Sequence, residues 1–118
     1  MDYDPLSEVI DEPLSLSAES VQQLIALKAA EHFQLLPGTN TADEKARLSK
    51  VLEELLDRLI SGVLANPNKL WVMRQFQPSL NEVQMEDTEA REHFGGHLEE
   101  IMDVLQIESS DGLLSFYL

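Results

Sequence analysis

The chain has 118 residues, no cysteine, and a formal net charge of −14 from 22 acidic and 8 basic residues. A chain of this length fits a single domain with one core, and without cysteine it has no disulfide, no thiolate zinc site and no cysteine nucleophile. The N-terminus is acidic where a secretory signal needs basic residues, and no apolar run approaches the roughly 18 residues of a membrane span. We therefore expect a cytoplasmic protein that does not bind membranes.

The negative charge lies mainly at the two ends of the chain. Residues 1–20 hold six acids and no base, and residues 79–118 hold ten acids and one base. The section between them is close to neutral. A field of this sign repels nucleic acid and speeds the encounter with a basic partner. Solubility alone is the competing explanation of the charge.

The first 16 residues predict an extended acidic arm, and residues 17–118 predict a single helical domain. Pro5 and Pro13 do not suit a helix interior, so we expect at most one turn of helix in the arm. Its apolar residues either dock on the domain or wait for a partner, and docking is the favoured alternative. Ser17 is a suitable N-cap for a first helix over residues 18–33.

Residues 41–66 predict a long central helix around which the rest of the chain packs. The stretch that begins at Thr41 matches a capping box, with Glu44 at its third helical position. Apolar residues then recur at helical spacing over an arc of roughly 220°, which is wider than the stripe of a surface helix. Such a helix must be covered from more than one side. The fold class is therefore all-α, a compact bundle of four to five helices.

The remaining elements follow from proline, glycine and capping signals. Asn66 and Pro67 predict the start of a third helix that ends before Pro78. Residues 79–85 read as a connector, with a turn of helix at Leu80 and Val83 left open. Asp87 or Thr88 then caps a fourth helix that runs to about Gln106. The glycine pair Gly95 and Gly96 predicts a kink in the fourth helix or, preferably, close approach of another backbone. The tail should close the core with a short helix or turn.

No motif in the chain predicts catalysis or a bound cofactor. His93 and His97 have the i, i+4 spacing of a metal pair, but the intervening residues lack the glutamate base of a zinc protease. Adjacent acids such as Glu53 and Glu54 point in different directions on a helix and do not converge for acid–base chemistry. A small enzyme or metal-binding domain is thus the third hypothesis for function, and we expect no enzyme and no cofactor.

The acidic run between residues 82 and 111 contains the best candidates for a functional site. Acidic residues at the start of the fourth helix interact favourably with the helix dipole in any protein, so they are weak evidence of a functional site. Glu99, Glu100 and Asp103 lie near the other end, where they oppose the dipole, so they are better evidence of a role. The predicted partner-binding residues are Glu92, Glu99, Glu100, Asp103, Glu108 and Asp111.

Several stretches together resemble a small bacterial, all-helical domain family of unknown function. They are residues 33–38, 87–92, 99–105 and 107–114. The resemblance covers about residues 33–118 and leaves the acidic arm outside. It implies a helical bundle and no established activity.

The leading hypothesis for function is an acidic module that binds a basic protein. Its most concrete form is an immunity-type protein that neutralises a bacterial toxin, a likeness drawn from size and charge. The runner-up is a nucleic-acid mimic that blocks a DNA- or RNA-binding protein, which requires carboxylates spaced like phosphates. Neither form binds nucleic acid itself, and self-association through the arm stays open.

Overall fold

In the computed structural model, which describes residues 3–30 and 42–118, every regular element is helical. The elements are a short 3₁₀ turn (Pro5–Glu8), α1 (Ala18–Ala29), α2 (Ala42–Gly62), α3 (Lys69–Val83), α4 (Thr88–Val104) and α5 (Leu113–Tyr117). The all-α class predicted from the sequence is confirmed. Within the described residues, no helix is both long enough and apolar enough to cross a membrane.

Helix α1 begins where the sequence predicts and ends earlier. Ser17 is its N-cap, and the Ser20 hydroxyl oxygen accepts a hydrogen bond of 3.3 Å from the Ser17 backbone N–H. The helix ends at Ala29 because Ala30 has an extended backbone conformation. Residues 31–33, the predicted end of this helix, lie outside the described residues, as does the predicted cap at Thr41.

Helix α2 is the longest element and packs against α1, α3 and α4. Its leucines at positions 52, 55, 56 and 59 are at most 1% exposed. Fully burying one such side chain stabilises a fold by about 1.5–3 kcal/mol. An ion pair of 2.6 Å between Lys28 and Asp57 joins the outer surfaces of α1 and α2.

The predicted limits of α3 are wrong at both ends. The helix is capped by Asn68, whose side-chain oxygen accepts a hydrogen bond of 2.9 Å from the Trp71 backbone N–H. Asn66 instead donates from its side chain to the Gly62 carbonyl at the end of α2. At its other end α3 continues to Val83 and includes most of the predicted connector.

Pro78 lies inside α3 and does not stop it. A proline removes one helical hydrogen bond and crowds the preceding turn. Beside it, Arg58 of α2 donates to the Gln75 carbonyl at 2.8 Å and to the Ser79 hydroxyl at 3.0 Å. Buried residues on both sides of the proline keep the helix against the core, including Phe76 and Leu80. Tertiary packing therefore overrides the local cost of the proline.

The end of α2 is in close contact with the single tryptophan of the chain. A Cβ atom added at Gly62 would lie 2.6 Å and 2.8 Å from two ring atoms of Trp71. No larger residue fits there without a shift of the indole ring. At Gly96 in α4, by contrast, an added Cβ would meet nothing within 4 Å.

We expect Gly62→Ala to destabilise the fold and Gly96→Ala to stabilise it. Overpacking against Trp71 should cost about 1–3 kcal/mol, whereas relief of the helical glycine penalty at position 96 should gain about 0.5–1 kcal/mol. Urea unfolding followed by circular dichroism at 222 nm measures both changes. A gain in the free energy of unfolding for Gly62→Ala would contradict the contact with Trp71.

Helix α4 starts where the sequence predicts. Asp87 caps it, with its carboxylate accepting a hydrogen bond of 2.9 Å from the Ala90 N–H, and the helix ends at Val104, within a turn of the predicted limit. The close packing predicted for the two glycines is found at Gly95 and not at Gly96. An added Cβ there would lie 2.8 Å from the side chain of Leu118, so the neighbour is a side chain and not a second backbone.

The N-terminal residues lie against α3 and α5. Pro5 is buried, and Leu6, Val9 and Leu14 pack against the core. Two backbone hydrogen bonds join this segment to the start of α3, from Leu14 N–H to the Pro67 carbonyl at 2.8 Å and from Lys69 N–H to the Glu12 carbonyl at 2.9 Å. The structure therefore docks these apolar residues on the body.

Candidate partner-binding surface

One face of α4 is acidic along most of its length. Glu92, Glu99 and Asp103 lie within about 40° of one another around the helix axis, because 7 and 11 residues are close to two and three whole turns. All three are exposed. Gly96 lies on the same face between them and is also exposed, so this part of the surface has no side chain. The face therefore presents carboxylates on a smooth backbone.

The tail after α4 adds a fourth carboxylate to that face. Gln106 has a φ of 61°, Asp111 of 54° and Gly112 of 89°, so the backbone is left-handed at two corners. This conformation is uncommon for residues other than glycine. The chain turns at these corners, and Glu108 lines the same groove as Glu99 and Asp103.

A groove of about 300 Å³ separates the end of α4 from the tail and α5. Carboxylates and hydroxyls dominate its polar lining, with apolar side chains at its base. We call it the acidic groove, and its lining residues are Glu99, Met102, Asp103, Ile107, Glu108, Ser109, Ser110, Leu114 and Ser115. The Lys or Arg nearest in sequence to these lining residues is Arg91. It lies about 100° around the helix from Glu92 and so faces away from the acidic face. Nothing in this lining neutralises the carboxylates.

Glu100 faces a different part of the surface. Its carboxylate lies 3.2 Å from Nδ1 of His97, and both residues line a separate cavity of about 140 Å³ between α4, α1 and α2. His93 is exposed. Within residues 3–30 and 42–118, no three side chains of the metal-binding types come close enough together to hold an ion.

Asp111 is engaged inside the protein. One of its oxygens accepts hydrogen bonds from Nζ of Lys69 at 2.7 Å and from the Ile10 backbone N–H at 2.8 Å. Lys69 is 4% exposed and the Asp111 side chain is 20% exposed, so a buried amine and a partly buried carboxylate join α3 to the tail. Of the six predicted carboxylates, the structure thus gathers four on one surface and places Glu100 and Asp111 elsewhere.

The pKa of Asp111 is lowered, first by the hydrogen bond from the Lys69 ammonium and next by that from the Ile10 N–H. A carboxyl whose pKa falls on folding stabilises the fold above its unfolded pKa. That contribution is lost as the pH falls through the lowered, folded value. At neutral pH the pair is therefore fully formed.

An exposed aromatic pair lies at the end of the tail. Phe116 follows Ser115 of the acidic groove and is 49% exposed, and its ring centre lies 5.5 Å from that of Tyr3. The Tyr117 side chain is buried, and its hydroxyl oxygen accepts a hydrogen bond of 3.2 Å from the Gln77 side chain. Phe116 is thus available for an apolar contact, and Tyr117 is not.

Sequence reasoning missed two features of this region. The first is the set of serines in the groove, whose positions depend on the path of the tail after α4. The second is Lys69, whose buried amine neutralises Asp111 from 42 positions away in the sequence. The spacing of positions 92, 99 and 103 was visible in the sequence and is the signal that identifies the acidic face.

The fold and this surface define the class, a small helical domain with an acidic face on its fourth helix. A family model described as a domain of unknown function (DUF4844) matches residues 15–118, and the chain belongs to that family. No curated protein and no solved structure matches the chain. The resemblance seen in the sequence to a family of unknown function is confirmed.

Proposed function

We propose that this chain is an acidic protein-binding module that neutralises a basic partner through the outer face of α4 and the acidic groove. In its most concrete form it is an immunity-type protein of a bacterial cytoplasm, and the partner is a toxin whose active site it occludes. In this proposal the protein has no catalytic role. The acidic N-terminal arm, residues 1–16, and the central helix α2 support the binding surface.

One observation carries the proposal, the gathering of Glu92, Glu99, Asp103 and Glu108 on a continuous surface. Residues 92–118 contain no Lys or Arg at all. Like charges placed together repel one another and destabilise the compact state, so they favour a partner that neutralises them. Solubility by itself needs net charge and does not need the carboxylates to converge.

Charge and apolar contacts would act on different rates, charge on association and apolar contacts on dissociation. Carboxylates that remain in water steer a basic partner toward the surface and raise the association rate. Met102 and Leu114 at the base of the groove, with Phe116 beside it, supply apolar area that slows dissociation. The partner that fits is therefore a protein with Lys or Arg side chains around an apolar centre.

The nucleic-acid mimic remains the second candidate because the carboxylates follow one helix face. Glu92 and Glu99 are separated by about 10 Å along the axis and Glu99 and Asp103 by about 6 Å. This uneven spacing, with Gly96 in the gap, fits a protein partner better than a regular row of phosphate sites.

A pull-down from the native cell lysate at about 0.1 M and about 0.5 M salt tests the proposal, because the higher salt screens surface charges. We expect the wild-type chain to retain one basic protein at low salt and to lose most of it at high salt. Glu99→Lys/Asp103→Lys should retain none, whereas the control Glu19→Lys/Glu53→Lys, with the same change in net charge, should retain it.

Three results would count against the proposal. Retention of no specific protein at either salt would overturn it, and so would equal losses with the two variants. A retained protein that DNA or RNA displaces would favour the mimic.

A further inference from the structure

The N-terminal segment is attached to the body by a few hydrogen bonds and by apolar side chains that are mostly half-buried. We define the strap as residues 3–14. Its only regular element is the single 3₁₀ turn at Pro5–Glu8, and an isolated bridge pairs Pro13 with Asn68. The family model begins at residue 15, directly after the strap. The strap thus lies outside the matched region and contains little regular secondary structure.

The strap supplies hydrogen bonds that the first turn of α3 cannot make for itself. The first N–H groups of any α-helix have no partner within the helix. Here the Lys69 N–H donates to the Glu12 carbonyl at 2.9 Å, and the Leu70 N–H donates to the Asp11 carboxylate at 2.9 Å. Farther along α3, the Gln77 side chain donates to the Asp4 carboxylate at 3.3 Å. The strap therefore follows α3 for about two turns.

One carboxylate oxygen joins the strap, α3 and the tail. Oδ2 of Asp111 accepts from the Ile10 N–H in the strap and from Nζ of Lys69 in α3. The Lys69 amine is buried at this junction. Removal of a buried cation's partner leaves an uncompensated charge, which strongly destabilises the arrangement that buries it. The strap lies beside this junction, since the Ile10 N–H binds the same oxygen as Nζ of Lys69, so opening of the strap would give an unpaired amine access to water.

Charge also opposes the closed strap. Asp4, Glu8, Asp11 and Glu12 contribute −4 of the net charge of −14, so the rest of the chain against which they lie carries −10. Like charges repel across this contact, and the Lys69 ammonium is the opposing attraction at the junction. The closed strap is therefore held by its hydrogen bonds to α3, by the buried Pro5 with half-buried apolar neighbours, and by the Ile10 N–H that shares Asp111 with Lys69.

We infer that the strap opens and closes as a unit over α3 and α5, with the Asp111–Lys69 pair as its latch, while the helical body stays folded. The closed strap caps α3 and places Tyr3 on Phe116 at the end of the tail. The open strap uncovers Lys69, Gln77 and the outer side of Tyr117. This inference does not rest on the partner proposed for the acidic groove.

Hydrogen exchange of the full chain, resolved by residue, tests this inference. In wild type at low denaturant, the amides of Ile10, Leu14, Lys69 and Leu70 should exchange by a local opening that denaturant does not accelerate. Amides in the middle of α2 and α4 should exchange through global unfolding, which denaturant does accelerate.

The variant Asp111→Asn removes the charge that neutralises Lys69 and keeps the side-chain shape. We expect its strap amides to exchange roughly a hundredfold faster, with no comparable change in α2 or α4. Asp103→Asn, a matched change of an exposed carboxylate, should leave them unchanged. Adding Lys69→Met to Asp111→Asn removes the unpaired cation and should restore most of the protection.

Three results would overturn the inference. One is acceleration spread evenly over strap and body, and another is no acceleration in Asp111→Asn. The third is an Asp111→Asn chain that does not fold, because the strap and body would then form one cooperative unit. Failure of the lysate experiment on the acidic groove would leave each of these results unaffected.

Discussion

Leu55→Ala should lower the free energy of unfolding by about 2–5 kcal/mol, because it removes a fully buried side chain and leaves a cavity in close-packed surroundings. Leu55 is 0% exposed in the middle of α2, where the helix packs against three others. A loss of this size is a large fraction of the stability of a small domain. We expect the midpoint of urea unfolding to fall with little change in slope.

Leu64→Ala provides the matched control for Leu55→Ala. Leu64 follows the end of α2 and is 49% exposed, so its truncation should change the free energy of unfolding by about 0.5 kcal/mol or less. Circular dichroism at 222 nm follows both variants through the same titration. Equal losses in the two variants would contradict a bundle organised around α2.

The second large effect concerns association with the basic partner retained in the lysate experiment. We expect Glu99→Lys/Asp103→Lys to reduce the association rate by about 10–10³-fold at low salt, because attraction becomes repulsion at the centre of the surface. The difference from wild type should shrink as salt rises. Stopped-flow kinetics over a range of ionic strength measures this dependence. A loss confined to the dissociation rate would contradict charge steering.

A neutral change at the same surface separates shape from charge. Gly96→Tyr places a bulky side chain on the exposed gap between Glu92 and Glu99, where an added Cβ meets no neighbour. The fold should tolerate it, and the partner should dissociate faster or fail to bind. Ala46→Tyr, at an exposed and uncharged position of α2, should bind as wild type does. Normal binding by Gly96→Tyr would exclude the centre of α4 from the interface.

The sequence predicted the helices whose ends carry strong local signals. Ser17 and Asp87 are N-caps, as predicted, because side-chain hydrogen bonds satisfy backbone N–H groups at the start of each helix. The Ser20 hydroxyl accepts from the Ser17 N–H, and the Asp87 carboxylate accepts from the Ala90 N–H. The predicted end of the third helix is wrong because a proline favours the end of a helix, whereas α3 continues through Pro78. The hydrogen bonds from Arg58 and the burial of Phe76 and Leu80 offset that cost, and they depend on α2 lying alongside.

The acidic surface was predictable in part. The placement of Glu92, Glu99 and Asp103 on one face follows from helical periodicity alone. The position of Glu108 does not, since it depends on the left-handed backbone at Gln106 and Asp111. The internal role of Asp111 also lay beyond local patterns, because its partners Ile10 and Lys69 are distant in sequence.

The most direct test of the acidic binding surface is a map of amide chemical shifts on the isotopically labelled chain, titrated with the retained basic protein at about 0.1 M salt. We expect changes along the outer face of α4 and around residues 107–115, with residues on the exposed side of α2 unchanged. Changes centred on α2, or a titration that leaves α4 and the tail unaffected, would contradict it.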